Sequence, residues 1–374
     1  MKKVLIVVGT RPNFIKVTQF KKVAANYPNI DLKIIHTGQH YDEKMSTVFF
    51  DQFGLVPDYF MEIGAGTPNT QMAKIMLGLE KTMGEFNPDL LIVVGDVNST
   101  FAAALTANKT KCKVAHLESG LRSLDREMPE EINRLLTDEI TDHFFITEQS
   151  GIENLKKEGK TGGLHFVGNT MIDTLVAFEP QIKESSVLSQ LEIENDSYVL
   201  MTMHRPRNVD TKDKLSVLVD IINSITSRMK LVFPAHPRTL KKLDEFGFSD
   251  DLKENNNLIF TEALDYFSFQ KLIAHCTVVV TDSGGIQEET TFRQVPCLTL
   301  RENTERPSTL EIGSNTLVEY NTEDFEKYFE EIQNGTYKKG IIPELWDGKA
   351  TERIMEIINK LDLNDENWSA NSPS

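Results

Sequence analysis

The strongest constraint on this chain is a rhythm in its apolar residues. Short apolar runs alternate with stretches of helical periodicity almost throughout. The runs cover residues 4–8, 32–36, 90–94, 113–117, 143–146 and 165–167, and then 198–203, 231–234, 258–260, 277–281 and 296–300. A strand covered on both faces needs an unbroken apolar run, and helices between such runs argue for parallel strands in α/β units. One short run alone does not separate strand from buried helix, so the weight rests on the repetition.

The runs fall into two sets, before and after about residue 170. A chain of 374 residues with 40% hydrophobic and 26% charged residues suits two domains, each with its own core. The expected division is a Rossmann-like domain over residues 1–170, a second over 171–354, and a C-terminal helix returning to the first domain from 355, with a frayed tail from Asn364. Residues 70–85 carry Met72, Ile75, Met76, Leu79 and Met83 at helical spacing, a stripe read as packing. Pro129 opens a helix running to about Asp138, and residues 349–361 form a late one. Residues 179–194 are polar and lack a strand pattern, as a connection would.

The net charge of −16 disfavours a nucleic-acid partner. Cys112, Cys276 and Cys297 show no metal-ligand spacing and read as reduced, buried thiols of a cytosolic protein. The first apolar run is too short for a signal-peptide core, and nothing approaches a membrane span.

Ligands of open parallel sheets bind beyond the carboxyl ends of the strands, so the residues just after each run carry the chemistry. They are Gly9-Thr10-Arg11-Pro12 with Lys16, Gly95-Asp96, Glu118-Ser119-Gly120, His204-Arg205, His236-Pro237-Arg238 and Asp282-Ser283-Gly284-Gly285. The last lies between a strand and the helix with Gln287, Glu288 and Glu289. It is either a diphosphate cradle, built from free N–H groups and the helix dipole, or an ordinary capped turn. Glu288 and Glu289 either complement the helix end or bind ribose hydroxyls. Arg11, Lys16, Arg205, Arg207, Arg238, Arg301 and Arg306 supply cations in an acidic chain.

Asp96, Glu118 and Glu130 are the candidate acid–base groups. First-turn charge is the competing reading for Glu130 and a sufficient one for Glu131, and Glu130 has the spacing to pair with Arg134. His116 reads as a core histidine. There is no zinc or calcium motif, and Gly9-Thr10-Arg11-Pro12 is not a dinucleotide fingerprint.

Taken together, these segments resemble the non-hydrolysing UDP-N-acetylglucosamine 2-epimerases. The likeness also covers Thr37-Gly38-Gln39-His40, His116 to Arg122, Pro129-Glu130-Glu131-Ile132-Asn133-Arg134, Gly168-Asn169-Thr170 and Thr304-Glu305-Arg306-Pro307, in family order. The resemblance implies an α/β fold of GT-B type, two Rossmann-like domains facing a cleft, usually in a homodimer. It implies Asp96, Glu118, Glu130 and His204 as catalytic groups. Arg11, Lys16, His236, Ser283, Gly284, Gly285, Glu289 and Arg306 would bind the UDP-sugar, with no metal and no cofactor. The pattern departs at Asn13 and Arg207, where relatives have glutamate, and residues 41–45 do not match the pattern that binds an activating second UDP-sugar.

Carbon 2 of such a sugar has no neighbouring carbonyl. Breaking the anomeric C–O bond first makes its proton removable, and protonating the opposite face requires at least two acid–base groups. The rival readings are a 2-epimerase for a UDP-diacetamido-uronic acid, which Arg207 would favour, a hydrolysing 2-epimerase, a GT-B glycosyltransferase and a UDP-sugar-binding regulator.

Overall fold

The structure, a computed structural model, describes residues 1–39, 50–64, 66–195 and 197–363. The expectations about residues 41–45 and about the tail from Asn364 fall outside these residues. Contacts divide the chain into two compact units, one of Met1–Ala177 with the chain from Glu344 onward, the other of Phe178–Pro343. The divisions expected at 170 and 354 differ from these by a helix at the first crossing and, at the second, by a loop and the start of the helix Ala350–Lys360.

The first unit holds β1 (Lys2–Val8), β2 (Ile30–His36), β3 (Tyr59–Phe60), β4 (Leu90–Val94), β5 (Lys113–Leu117), β6 (His143–Ile146) and β7 (Leu164–Phe166). They form a seven-stranded sheet in the order β3-β2-β1-β4-β5-β6-β7. The second unit holds β8 (Tyr198–Thr202), β9 (Lys230–Pro234), β10 (Leu258–Thr261), β11 (Val278–Thr281), β12 (Cys297–Thr299) and β13 (Asn315–Leu317). Its six strands run β10-β9-β8-β11-β12-β13. Pairing is parallel in both sheets, with Val4 opposite Leu90 and Val278 opposite Val199. Each strand order reverses once, between β1 and β4 and between β8 and β11, and these are the switch points where such sheets open to ligands.

Burial explains the apolar runs. Every residue of β4, β6 and β11 is buried, because helices cover both faces. The expected strands are all present. β3 and β13 lacked a signal because each is a short edge strand, two and three residues long, with part-exposed side chains. The Met-striped helix spans Pro68–Phe86 and buries Ile75, Leu79 and Met83. Thr67 caps its start, and Asn87, at φ 52°, ends it in the left-handed region.

The late helix, Ala350–Lys360, is fastened to the first unit by its amino end. Asp173 accepts from the backbone N–H of Ala350 at 3.0 Å and from that of Thr351. Gly168 turns there at φ 85°, and a Cβ on it would strike the Leu345 carbonyl. No described helix is long and apolar enough to cross a membrane.

Candidate active site

In the first unit, close packing draws the ends of β1, β2 and β4 together. A Cβ on Gly9 would lie 2.3 Å from Ser99 Oγ, so only glycine admits that approach. Thr37 and Ser99 share a hydroxyl bond of 2.8 Å, and Gln39 Oε1 accepts from Ser99 N and Oγ at 3.0 and 2.7 Å. Asn13 is buried; its Oδ1 accepts from Gly9 N and Thr10 Oγ1, and its Nδ2 donates to the Val94 carbonyl. Where the resemblance leads one to expect glutamate, an amide thus ties β1 to β4.

Glu118 follows β5 with a backbone φ of 74°, in a region that costs a non-glycine residue about 1–2 kcal/mol. Its N–H donates to the Phe145 carbonyl at 3.0 Å, which holds the turn. The carboxylate forms an ion pair with Lys16, and both side chains are more than 90% buried. Gly95, at φ 65°, leaves room for them: a Cβ there would lie 3.3 Å from Glu118 Oε2 and 3.6 Å from Lys16 Nζ.

Asp96 is part-exposed, and Arg134 grips it, with Nη2 2.7 Å and Nε 3.1 Å from Oδ2. Arg134 belongs to the helix Pro129–Glu139 and also pairs with Glu131 at 2.6 Å. The expected partner of Arg134, Glu130, is exposed on the first turn instead. Glu131 is more than a complement to the helix dipole. It is 1% exposed and accepts from Ser123 N, Ser123 Oγ and Leu124 N at 2.9–3.1 Å. Its carboxylate therefore fixes both Arg134 and the loop before the helix. Arg11 is exposed on the first turn of the helix Arg11–Ile15.

In the second unit, Asp282 organises the end of β8. It is fully buried and accepts from His204 N, Arg205 N and Asn208 Nδ2 at 2.8–3.3 Å. His204 Nδ1 lies 2.9 Å from its other oxygen. Burial alone would raise the Asp282 carboxyl, but His204 and these N–H donors hold it below the usual carboxylate range. The His204 and His236 rings are 6.2 Å apart. His236 caps the helix Pro237–Glu245 by accepting from Arg238 N at 3.1 Å. Burial, with the charges of His204 and Arg238, lowers its proton affinity.

Ser283 stands at the amino end of the helix Gly284–Arg293, and its side chain makes no cap bond. A Cβ on Gly284 would lie 2.7 Å from Glu305 Oε1 and 2.9 Å from Arg306 Nη1, so the Arg306 guanidinium sits directly beside this helix end. Glu305 and Glu288 hold Arg306, the latter at 2.9 Å, and Glu305 also takes Arg301 at 2.9 Å. Gly285 completes the turn. Glu289 lies on the same helix, and burial pushes its carboxyl up to about 7.

Two cations turn elsewhere. Arg207 pairs with Glu302 at 2.8 Å, and Arg238 pairs with Asp210 at 2.8 Å, both at the surface. Sequence reasoning named Asp282, Glu131 and Glu305 without giving them an aiming role, and met Asp138 only as the end of a helix; all four are buried carboxylates that hold the visible groups. Glu131 and Glu305 carried a signal in their three- and four-residue spacing to Arg134 and Arg301, and Asp282 in its place at a strand end, whereas the partners of Asp138, His116 and Arg122, lie far from it in sequence. Among the described residues, no group of three or more His, Cys, Asp or Glu side chains is placed to hold a metal ion.

Comparison with known proteins places the chain in a family. The family model described as UDP-N-acetylglucosamine 2-epimerase matches residues 22–359. A UDP-N-acetylglucosamine 2-epimerase of Methanocaldococcus jannaschii is 41% identical over 95% of this chain and 98% of its own. A UDP-2,3-diacetamido-2,3-dideoxy-D-glucuronate 2-epimerase of Pseudomonas aeruginosa is 35% identical over 84% of this chain and 88% of its own. The crystal structure of the M. jannaschii enzyme in complex with UDP-GlcNAc and UDP superposes with a TM-score of 0.86, at 40% identity, over 95% of this chain and 99% of that one. The fold is accordingly GT-B-like, and the chain belongs to the UDP-N-acetylglucosamine 2-epimerase family.

Proposed function

We propose that this protein interconverts UDP-N-acetylglucosamine and UDP-N-acetylmannosamine by eliminating UDP to a glycal and adding it back. The observation that carries the reading is a division of labour at the strand ends. The first unit presents Asp96 and Glu118, each aimed by a buried cation. The second presents a glycine-started helix with Arg306 beside it, a geometry suited to a diphosphate.

In this mechanism the helix N–H groups of Ser283, Gly284 and Gly285, with Arg306, stabilise charge on the departing diphosphate. Arg11, Lys16 and His236 bind the UDP-sugar, and Glu289 takes the ribose hydroxyls. As the anomeric C–O bond breaks, one of Asp96, Glu118 and Glu130 removes the proton from carbon 2. Another returns a proton to the opposite face while UDP re-forms its bond. His204 assists the diphosphate or relays a proton. The C–O and C–H bonds broken are both remade, so the reaction consumes no redox cofactor. The enzyme works in the cytoplasm as a homodimer.

One observation weighs against the diacetamido-uronate reading: Glu302 already answers the charge of Arg207, which leaves it paired rather than waiting for a substrate carboxylate. The test is to incubate the protein with UDP-N-acetylglucosamine in deuterium oxide and follow the products by proton NMR. Epimer carrying deuterium at carbon 2 is expected. Epimer that keeps its original proton excludes the route, and free N-acetylmannosamine as the product would favour the hydrolysing alternative.

A further inference from the structure

The two turns that carry Asp96 and Glu118 are joined underneath by a buried pair of side chains that the chemistry above does not use. His116 lies in β5, fully buried. Its Nε2 is hydrogen-bonded to the Gly95 carbonyl at 2.8 Å, and its Nδ1 to Asp138 Oδ1 at 2.6 Å. Gly95 is the residue that leads into Asp96. Asp138, in the last turn of the helix Pro129–Glu139, is also fully buried. Its other oxygen accepts from Gly120 N at 3.1 Å and pairs with Arg122 at 2.7 Å. Arg122 in turn grips Glu158 through two bonds, of 2.8 and 2.6 Å.

This arrangement brackets Glu118. His116 stands two residues before it and Gly120 two residues after it, and both bond to the same carboxylate. Glu118 between them holds a left-handed backbone, and Gly120 and Gly95 are left-handed too. A turn of that kind persists only when its surroundings over-determine it. Burial alone would raise the Asp138 carboxyl, but His116 and Arg122 hold it below the usual carboxylate range, so it stays an acceptor for all its donors.

We propose that His116 and Asp138 are positioning residues for proton transfer, a buried couple that locks the turn bearing Asp96 to the turn bearing Glu118. The proposal rests on the reading that these two carboxylates move the carbon 2 proton. A reaction that must remove a proton from one face and return one to the other depends on the registry of its two acids. Misplacement by about 1 Å costs on the order of 10²-fold in such systems. Loss of registry should appear first as failure to complete the second half-reaction, with UDP and the glycal escaping.

Two substitutions at position 116 separate positioning from mere support. The amide of His116→Gln reaches about as far as Nε2 and keeps the Gly95 bond. The amide of His116→Asn reaches only as far as Nδ1 and keeps Asp138 while dropping Gly95. Each variant, with Asp138→Asn, is incubated with UDP-N-acetylglucosamine in deuterium oxide. Epimer, glycal and UDP are quantified by NMR, and UDP affinity and Tm are measured alongside. Expected are turnover losses of about 10–10²-fold for His116→Asn and for Asp138→Asn, with more glycal per epimer and unchanged UDP affinity, and a smaller change in the same direction for His116→Gln, which keeps the bond to Gly95 but gives up Asp138. If His116→Asn and His116→Gln release glycal in the wild-type ratio, or if all losses track Tm, the positioning role is overturned while the epimerase reading stands. Wild-type epimer that keeps its carbon 2 proton removes both.

Discussion

The helix that follows the acid-bearing strands of the first unit and the helix that follows β11 in the second break the same rule in the same way. Pro129–Glu139 buries Glu131, Asn133, Arg134, Thr137 and Asp138 and leaves Leu136 exposed. Gly284–Arg293 buries Gln287, Glu288, Glu289, Thr290 and Thr291. Burying polar groups is unfavourable unless they are bonded, and here several reach strand ends: Asn133 and Arg134 bond Asp96, Asp138 bonds His116, and Gln287 bonds the Ser283 carbonyl. The difference lies in what the bonds deliver. In the first unit, helix side chains hold Arg134 and His116, and these aim acids and their turns. In the second, Glu288 with Glu305 holds the buried Arg306 against the helix's own glycine end, which sets a cation beside the helix-end donors. One topology thus carries two opposite electrostatic tasks, and the choice is made by a few buried charges rather than by the sheet.

The comparison breaks most severely where the acids themselves are neutralised. Asp96→Asn, Glu118→Gln and Glu130→Gln should each lower turnover by about 10²–10⁴-fold, the usual contribution of a proton-transfer group. UDP affinity should hold, since the proposed mechanism assigns the nucleotide to the other unit. Glu118→Gln should also lower Tm, because it strands the buried Lys16 charge. Asp96→Asn should not do so to the same degree, since its side chain is part-exposed. If all three variants turn over like wild type, the division of labour is wrong.

The reverse pattern is expected on the second unit. Gly284→Val drives a branched side chain into Glu305 and Arg306 and covers the helix-end N–H groups. UDP affinity, measured by calorimetry, should fall by about 10²-fold, as expected when several charge-assisted bonds are lost. Binding that survives the substitution would place the diphosphate elsewhere.

How much of this was legible in the sequence follows from the same contrast. The strands could be read because burial on both faces writes itself as an apolar run, and the strand ends marked Asp96, Glu118, His204 and Ser283 at once. The edge strands β3 and β13 could not, because half-exposed pairs such as Tyr59-Phe60 carry no pattern. The buried face of Pro129–Glu139 was also hidden. Periodicity analysis looks for apolar residues inside, and in this helix Leu136 is outside while Arg134 and Asp138 are inside. Spacing offered Arg134 two acidic neighbours, Glu130 and Glu131, and only the fold decides that the second is its partner.

That partnership gives the next test. Glu131 is surrounded by donors: two backbone N–H groups, a hydroxyl and Arg134. An amide in its place sets an NH₂ group against one of them. Glu131→Gln should therefore destabilise the protein by about 2 kcal/mol, the cost of leaving buried donors unsatisfied. Glu130→Gln, at an exposed position, should leave stability nearly unchanged while removing activity. Equal Tm for the two variants would show that the buried carboxylate does not anchor the loop.

The smallest expected effect is a pH dependence in the second unit's helix. Burial raises the Glu289 carboxyl to about 7 in the folded protein, while its ordinary value of 4.5 applies to the unfolded chain. Below 4.5 both states hold the proton, and the group contributes no pH dependence. Between 4.5 and about 7 the unfolded chain gives up its proton first, so the folded state becomes relatively less stable as pH rises. Above that window the penalty is constant. Glu289→Gln removes the titration, so the Tm difference between wild type and variant should be more favourable to wild type at pH 5 than at pH 8. The change should be on the order of 1 kcal/mol, a few degrees in Tm. Asp138 on Pro129–Glu139 should not do the same, since His116 and Arg122 hold it in its charged form. A Tm difference that does not vary with pH would mean that Glu289 is ionised in the folded protein, its charge answered by Arg293 despite burial.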